Sequence, residues 1–294
     1  MKLTQRTGRI LTYIFLSLSS FIMVYPVLYM VLASFTTTPR FLETVIFPIP
    51  DTLNIELYRS AMAYGMWQSY VFTLQRVLFY LVINVLTGLI GGYILSKLRF
   101  PGRGKVFLFF LSGMLMPAIL MIVPQYVLIA RFPLVGGNTI LGQGGTGFIG
   151  SWAILFAYGW VSPFAIFLMK QSFDMLPGEY EDAAKMDGAG FLTIIFRVYG
   201  PLLKPPLVAL SIVTFLSVWN DYLWPSMTVA GHPEWFPITM VMQISVQKYF
   251  SPFGLSNYPA IMARTLLATW PPALVYFLLQ RFFVQGMVAS GLKG

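Results

Sequence analysis

Six apolar runs, each long enough to cross a bilayer, divide this chain of 294 residues and leave it few other ways to fold. They lie near 10–34, 70–96, 106–128, 149–170, 206–230 and 262–284. About 20 helical residues cross the hydrocarbon. Inside lipid every backbone N–H and C=O must find its partner within the protein, so runs of this length are expected as helices. Only 10% of the residues are charged, against roughly 25% in soluble domains. The expected fold class is therefore all-α integral membrane, with six transmembrane helices in a single domain over 1–294. The first run follows Lys2, Arg6 and Arg9, as in a signal peptide. Its apolar stretch is too long for one and no small-residue cleavage site follows, so it is expected as an uncleaved span.

The net charge of +9 does not point to nucleic acid, because the basic residues form short clusters between apolar runs. The positive-inside rule accounts for that pattern. With the amino terminus inside, thirteen Lys and Arg fall on the inner side, leaving Arg40, Arg59, Arg76, Arg131, Lys248 and Arg264 outside or buried. Both termini are then expected in the cytoplasm. Cysteine is absent and His232 is the sole histidine, which excludes disulfides, thiolate or multi-histidine metal sites and a serine–histidine catalytic set. No Gly-x-x-x-x-Gly-Lys-Ser/Thr phosphate loop occurs. The cluster Gly142-Gln-Gly-Gly-Thr-Gly147 lacks the lysine and is read as a flexible outward loop.

The most polar stretch is Glu179-Tyr-Glu-Asp-Ala-Ala-Lys-Met-Asp-Gly-Ala-Gly190, inside an inward loop over 171–205. Glu179, Glu181 and Asp182 fall in a first helical turn, where carboxylates favour the positive end of the helix dipole. Ala184 and Gly188, four apart, share a face on which another surface could approach the backbone. An ordinary solvated helix would explain the charges but not the small face. Gly188 and Gly190 then stop the helix, and Phe191 to Tyr199 reads as a second, more apolar one. Asp221 is the one acid expected within a span, and intramembrane carboxylates usually face a cavity or a partner. With Trp219, Asn220, Tyr222 and Trp224 it offers hydrogen-bonding groups beside aromatic faces, which suits a solute pathway. A structural contact to a neighbouring helix serves equally well, and Arg76 either pairs with it or snorkels outward.

Asp182-Ala183-Ala184, then Gly188, then Val198-Tyr-Gly-Pro201 resembles the signature loop of binding-protein-dependent ABC importer permeases, Glu-Ala-Ala, three residues, Gly, nine residues, Ile-x-Leu-Pro. Asp182 stands for the usual glutamate and Gly200 for leucine. Ser217-Val-Trp-Asn-Asp-Tyr-Leu-Trp-Pro225 and Gln280–Gly294 are similar to segments of the maltose-type sugar permeases. The resemblance implies a cytoplasmic coupling helix between spans four and five. It assigns ATPase coupling to Glu181, Asp182, Ala183, Ala184, Gly188 and Pro201, with a second contact from Gln285 to Gly294.

It further implies an ATP-driven importer of di- or oligosaccharides in the bacterial inner membrane. Its partners would be a second homologous permease, two cytoplasmic ATPases holding ATP and magnesium, and an extracytoplasmic solute-binding protein entered by residues near Val246 to Ser256. This chain would be no enzyme and carry no cofactor. Trp219, Asn220, Asp221 and Tyr222 are the candidate pathway. Two rivals remain, an ion-coupled secondary transporter using Asp221 and Arg76, and an importer of a non-sugar solute. The six outward or buried basic residues admit an acidic saccharide, or they are structural anchors.

Overall fold

Long apolar runs with few glycines inside them give helices throughout. The computed structural model describes residues 2–44, 46–157, 159–250 and 256–291, and no strand occurs among them. The main helices are α1 (Lys2–Ser34), α2 (Trp67–Lys97), α3 (Arg103–Leu115), α4 (Ala118–Ala130), α5 (Pro163–Asp174), α6 (Glu179–Met186), α7 (Lys204–Trp219), α8 (Leu223–Thr228), α9 (Ile238–Tyr249) and α10 (Tyr258–Gly291). Among the described residues four segments are long and apolar enough to cross a membrane: Gly8–Ser34, Trp67–Lys97, Lys204–Thr228 and Tyr258–Gln280. These answer to four of the six runs.

The other two runs are not single rods. The 106–128 run breaks at Met116-Pro117, and its halves are bent by 109°. Proline has no N–H to donate and disfavours helical geometry in the residue before it. The 149–170 run forms a 3-10 turn, Trp152–Phe156, and then only the twelve residues of α5. Gly159 takes φ +77, and Ser162 caps α5 by accepting from the Ala165 N–H at 3.2 Å, with Pro163 as the first helical residue. Serine before proline is a helix start, and it overrides the apolar run here.

The chain divides into two compact units. The first holds residues 1–67 and 241–271. Its long α1 leaves apolar side chains exposed along its length, as a helix facing lipid does. Its turn-rich segments are pinned by Tyr25 Oη donating to the Ile46 carbonyl at 2.6 Å and by Thr36 Oγ1 donating to that of Pro48 at 3.0 Å. Arg264, 3% exposed, lies over the Tyr249 ring at 4.5 Å and donates to its hydroxyl at 3.1 Å.

The second unit, residues 68–240 and 272–294, holds the main core. Leu89 and Tyr93 of α2 pack on Ala165, Met169 and Phe173 of α5, and on Ile194, Ile195 and Tyr199 beyond them. Glycines let α2 and α5 approach closely, as small residues do between membrane helices. At Gly92 an added Cβ would lie 2.7 Å from Met169 Cβ and 2.9 Å from the Lys170 backbone nitrogen. Gly92→Ala must push the two backbones apart, at a cost of about 1–3 kcal/mol. Thermal melting of the purified protein should show that loss. Gly104→Ala, with nothing within 4 Å of its added Cβ, should melt like the parent.

The glycine cluster at 142–147, expected from the sequence as a flexible loop, is instead held by hydrogen bonds. Asn138, 7% exposed, donates through Nδ2 to the carbonyls of Ala130 and Phe132, both at 3.0 Å, and accepts from the Gly145 N–H at 2.9 Å. A single buried amide therefore ties the segment back onto the end of α4.

Candidate functional site

The polar segment folds as anticipated into a short helix, α6, preceded by Leu176-Pro-Gly178. Lys97 Nζ holds that break by donating to the Leu176 carbonyl at 2.6 Å. The end of α6 is closed by two backbone bonds. Ala189 N–H reaches the Ala184 carbonyl at 2.9 Å, and Gly188 N–H reaches that of Lys185 at 3.0 Å. This pair is the Schellman closure, and it needs a left-handed residue at Gly188, where φ is +77.

The face that carries the small residues is not the one the sequence suggested. Ala184, 8% exposed, packs inward on the core beside Tyr93, Phe173 and Ile195. Glu181, 7% exposed, also turns inward, where it meets Lys185 Nζ at 2.7 Å and accepts from the Tyr93 hydroxyl. Burial, reinforced by the Glu181 and Asp182 charges, pushes the Tyr199 hydroxyl up to about 12. Contact with Glu181 likewise raises Lys185 above the usual lysine range. The outward face instead presents Glu179, Asp182, Ala183 and Met186, the last 89% exposed. Gly188 and Pro201 are exposed as well. Inward residues rivet the helix to α2, and outward ones are available to a partner.

A second constellation lies deeper. Arg76 of α2, fully buried, meets Asp221 at 2.7 Å (Nη2 to Oδ2) and donates from Nε to the Leu155 carbonyl at 3.3 Å. Tyr80 Oη donates to that same carbonyl at 3.0 Å, and Trp224 Nε1 to that of Ile154 at 3.0 Å. These donors satisfy the peptide groups of the 3-10 turn that interrupts the 149–170 run, as a non-helical backbone at membrane depth requires. Asp221 itself sits at the break between α7 and α8, and Thr239 Oγ1 donates to its carbonyl at 2.7 Å.

Beside this network is a cavity of about 740 Å³. Its walls include Met116 at the α3–α4 bend, Gly159 and Val161 to Phe164 before and into α5, and Asp221 at the α7–α8 break. Three interruptions of helix thus open onto one space. Tyr80 and Asn84, near the middle of α2, also line it, so the space lies near half the depth of that span.

Of the four pathway residues expected from sequence, Asp221 lines the cavity and three do not. Trp219, 2% exposed, stacks on Phe215 at 5.4 Å. Asn220 donates back to the Leu216 carbonyl at 2.9 Å, and Tyr222 is partly exposed elsewhere. The local reason is the helix turn: four consecutive residues point in four directions, so they cannot share one surface. Sequence reasoning missed Asn84, Gln125, Thr214 and Ser217, which do line the space. Asn84 had a signal, being an amide in the middle of an apolar span.

Residues 85–289 match the family described as binding-protein-dependent transport system inner membrane component. The chain is 28% identical over 282 residues to the arabinooligosaccharides transport system permease protein AraQ of Halalkalibacterium halodurans, covering 94% of this chain and 93% of that one. It is 30% identical to the maltodextrin transport system permease protein MdxG of Bacillus subtilis, over 98% and 97% of the two chains. It is 29% identical to the lactose transport system permease protein LacG of Rhizobium radiobacter, over 98% of each. Its fold matches a chain of a bacterial ABC transporter involved in the import of the acidic polysaccharide alginate. The TM-score is 0.79 at 22% identity, over 95% of this chain and 98% of that one.

Proposed function

This chain belongs to the family of binding-protein-dependent transport system inner membrane components, and we propose that it is the permease subunit of an ATP-driven importer of di- or oligosaccharides. Similarity over almost the whole length to permeases named for arabinooligosaccharides, maltodextrin and lactose carries the reading. The cavity at the helix breaks supports it, because discontinuous helices near mid-membrane build solute sites in transporters.

In this reading a second permease, two ATPases and an extracytoplasmic binding protein complete the machine, and ATP with magnesium acts on the ATPases. Both termini lie in the cytoplasm. The outward face of α6, with Asp182 and Ala183, meets an ATPase, while Glu181 and Ala184 fasten α6 to the permease core. Gly188 sets the helix end, and Pro201 begins the return toward α7. Closure of the ATPases moves α6, and the rivet to α2 passes that movement to the cavity walls. The binding-protein contact near Val246 to Ser256 lies partly outside the described residues, as does the end of the tail Gln285 to Gly294.

The ion-coupled rival loses ground to geometry, since Asp221 is paired with Arg76 at 2.7 Å rather than left as an isolated proton carrier. Purification tests the proposal directly. Tagged chain should bring down an ATPase whose turnover rises when sugar-loaded binding protein is added. A preparation that transports solute with no ATPase attached would overturn the reading.

A further inference from the structure

We infer that Tyr199 is a positioning residue for coupling: the Glu181 carboxylate accepts from the Tyr93 hydroxyl in the arrangement seen here, and from the Tyr199 hydroxyl once a closing ATPase has moved α6. The inference rests on the oligosaccharide-importer reading. It goes beyond that reading in naming a second seat for α6 and the exchange of partners that reaches it.

Tyr199 is 0% exposed, and its hydroxyl has no partner among the protein groups around it. A buried tyrosine hydroxyl usually finds one, because entering the core strips it of water. Its neighbours cannot serve. The Phe173 ring stands 5.3 Å from the Tyr199 ring and the Tyr93 ring 6.0 Å, within an apolar cluster that also holds Ile194 and Ile195. Lys97 Nζ lies 5.6 Å over the ring, but it is itself a donor and is engaged by the Leu176 carbonyl. The hydroxyl is closed to solvent, so an acceptor has to come from inside the same core.

Glu181 is the one acid buried among the described residues, and its charge already bears on the Tyr199 hydroxyl. A carboxylate offers about four lone-pair sites. Lys185 Nζ and the Tyr93 hydroxyl occupy only part of that capacity. The two tyrosines belong to different elements. Tyr93 lies in α2, whereas Tyr199 ends the wide π turn Ile194–Tyr199, from which the chain runs through Gly200-Pro201 toward α7. Short π turns are frequent at functional sites. α7 in turn gives Thr214, Ser217 and Val218 to the cavity wall. Passing Glu181 from Tyr93 to Tyr199 therefore carries the push of α6 from α2 to the segment that leads into α7. No proton is transferred: each phenol keeps its hydrogen and the carboxylate its charge. A bond made in one arrangement alone weights the equilibrium toward that arrangement.

The test uses the complete complex in nanodiscs, melted in two states: without nucleotide, and with ATP, magnesium and vanadate to hold the ATPases closed. Tyr199→Phe is expected to melt at or above the parent without nucleotide and below it in the closed state. Its ratio of stimulated to basal ATPase turnover should fall about tenfold, the equivalent of roughly 1.4 kcal/mol. Tyr93→Phe should do the reverse, melting below the parent without nucleotide, matching it when closed and raising basal turnover. A tyrosine that merely packs would shift melting alike in both states. Tyr199→Phe removes a hydroxyl that has no partner here, so it keeps the fold and decides the matter even where Tyr93→Phe does not assemble. Equal shifts in the two states, or parental stimulation in Tyr199→Phe, would overturn the inference and leave the importer reading standing. A chain that transports solute with no ATPase attached would instead bring down the importer reading.

Discussion

Asp221→Ala is expected to lose about 3–5 kcal/mol of stability, the cost of stranding one member of a buried ion pair. The arginine left behind is fully buried, and its other polar contact among those described is the Leu155 carbonyl at 3.3 Å. Nη1 of Arg76 already lacks a partner, so the guanidinium has little left to compensate its charge. Arg76→Leu should cost less, because Asp221 borders the cavity, is 15% exposed and can reach water. The double variant Arg76→Leu/Asp221→Ala should recover much of the loss, since removing both charges leaves nothing uncompensated. Melting temperature and yield of detergent-purified protein measure all three. An equal loss for the two single variants would mean that the pair is not the asymmetric, one-sided contact that its exposures describe. A proton-coupled transporter would behave differently again. Neutralising Asp221 would then alter the pH dependence of uptake while sparing the fold.

The membrane class was legible because backbone polarity in lipid leaves helix as the outcome for a 20-residue apolar run. What periodicity could not show is where a run stops being one helix. The 106–128 and 149–170 runs are apolar throughout, yet Pro117 breaks one and the Ser162-Pro163 pair starts a new helix inside the other. Those same breaks build the cavity, so the site lies where the apolar pattern carries no sign of a change of helix. Asp221 was visible as an acid in an apolar run, but Trp219, Asn220 and Tyr222 beside it in sequence face other ways. Thr214 and Ser217 are ordinary in a membrane helix, and only the folding of α2 and α4 beside α7 gives them a common surface. At α6 the charges and the stop were legible, and the orientation was not, because the partner of Glu181 is Tyr93, 88 positions earlier in the chain.

Gly188 closes α6, and in the proposed function it also lies where a partner would meet that helix. Its φ of +77 makes it a left-handed residue, and an added Cβ would find nothing within 4 Å. Leucine there fits the space but not the backbone, at a cost of about 1–2 kcal/mol. Asparagine tolerates the left-handed turn, so Gly188→Asn should keep the Schellman closure and lose no more than about 0.5 kcal/mol. Both side chains would project from the exposed end of α6, beside Met186 and Asp187. If an ATPase seats closely on that end, both variants should lose binding-protein-stimulated ATPase activity by about tenfold or more, equivalent to at least roughly 1.4 kcal/mol of coupling. Leucine alone should also lower the melting temperature. The asparagine variant therefore decides the matter: a stable protein with its stimulation gone makes Gly188 a contact, whereas full stimulation makes it a helix stop and moves the docking surface to Asp182, Ala183 and Met186.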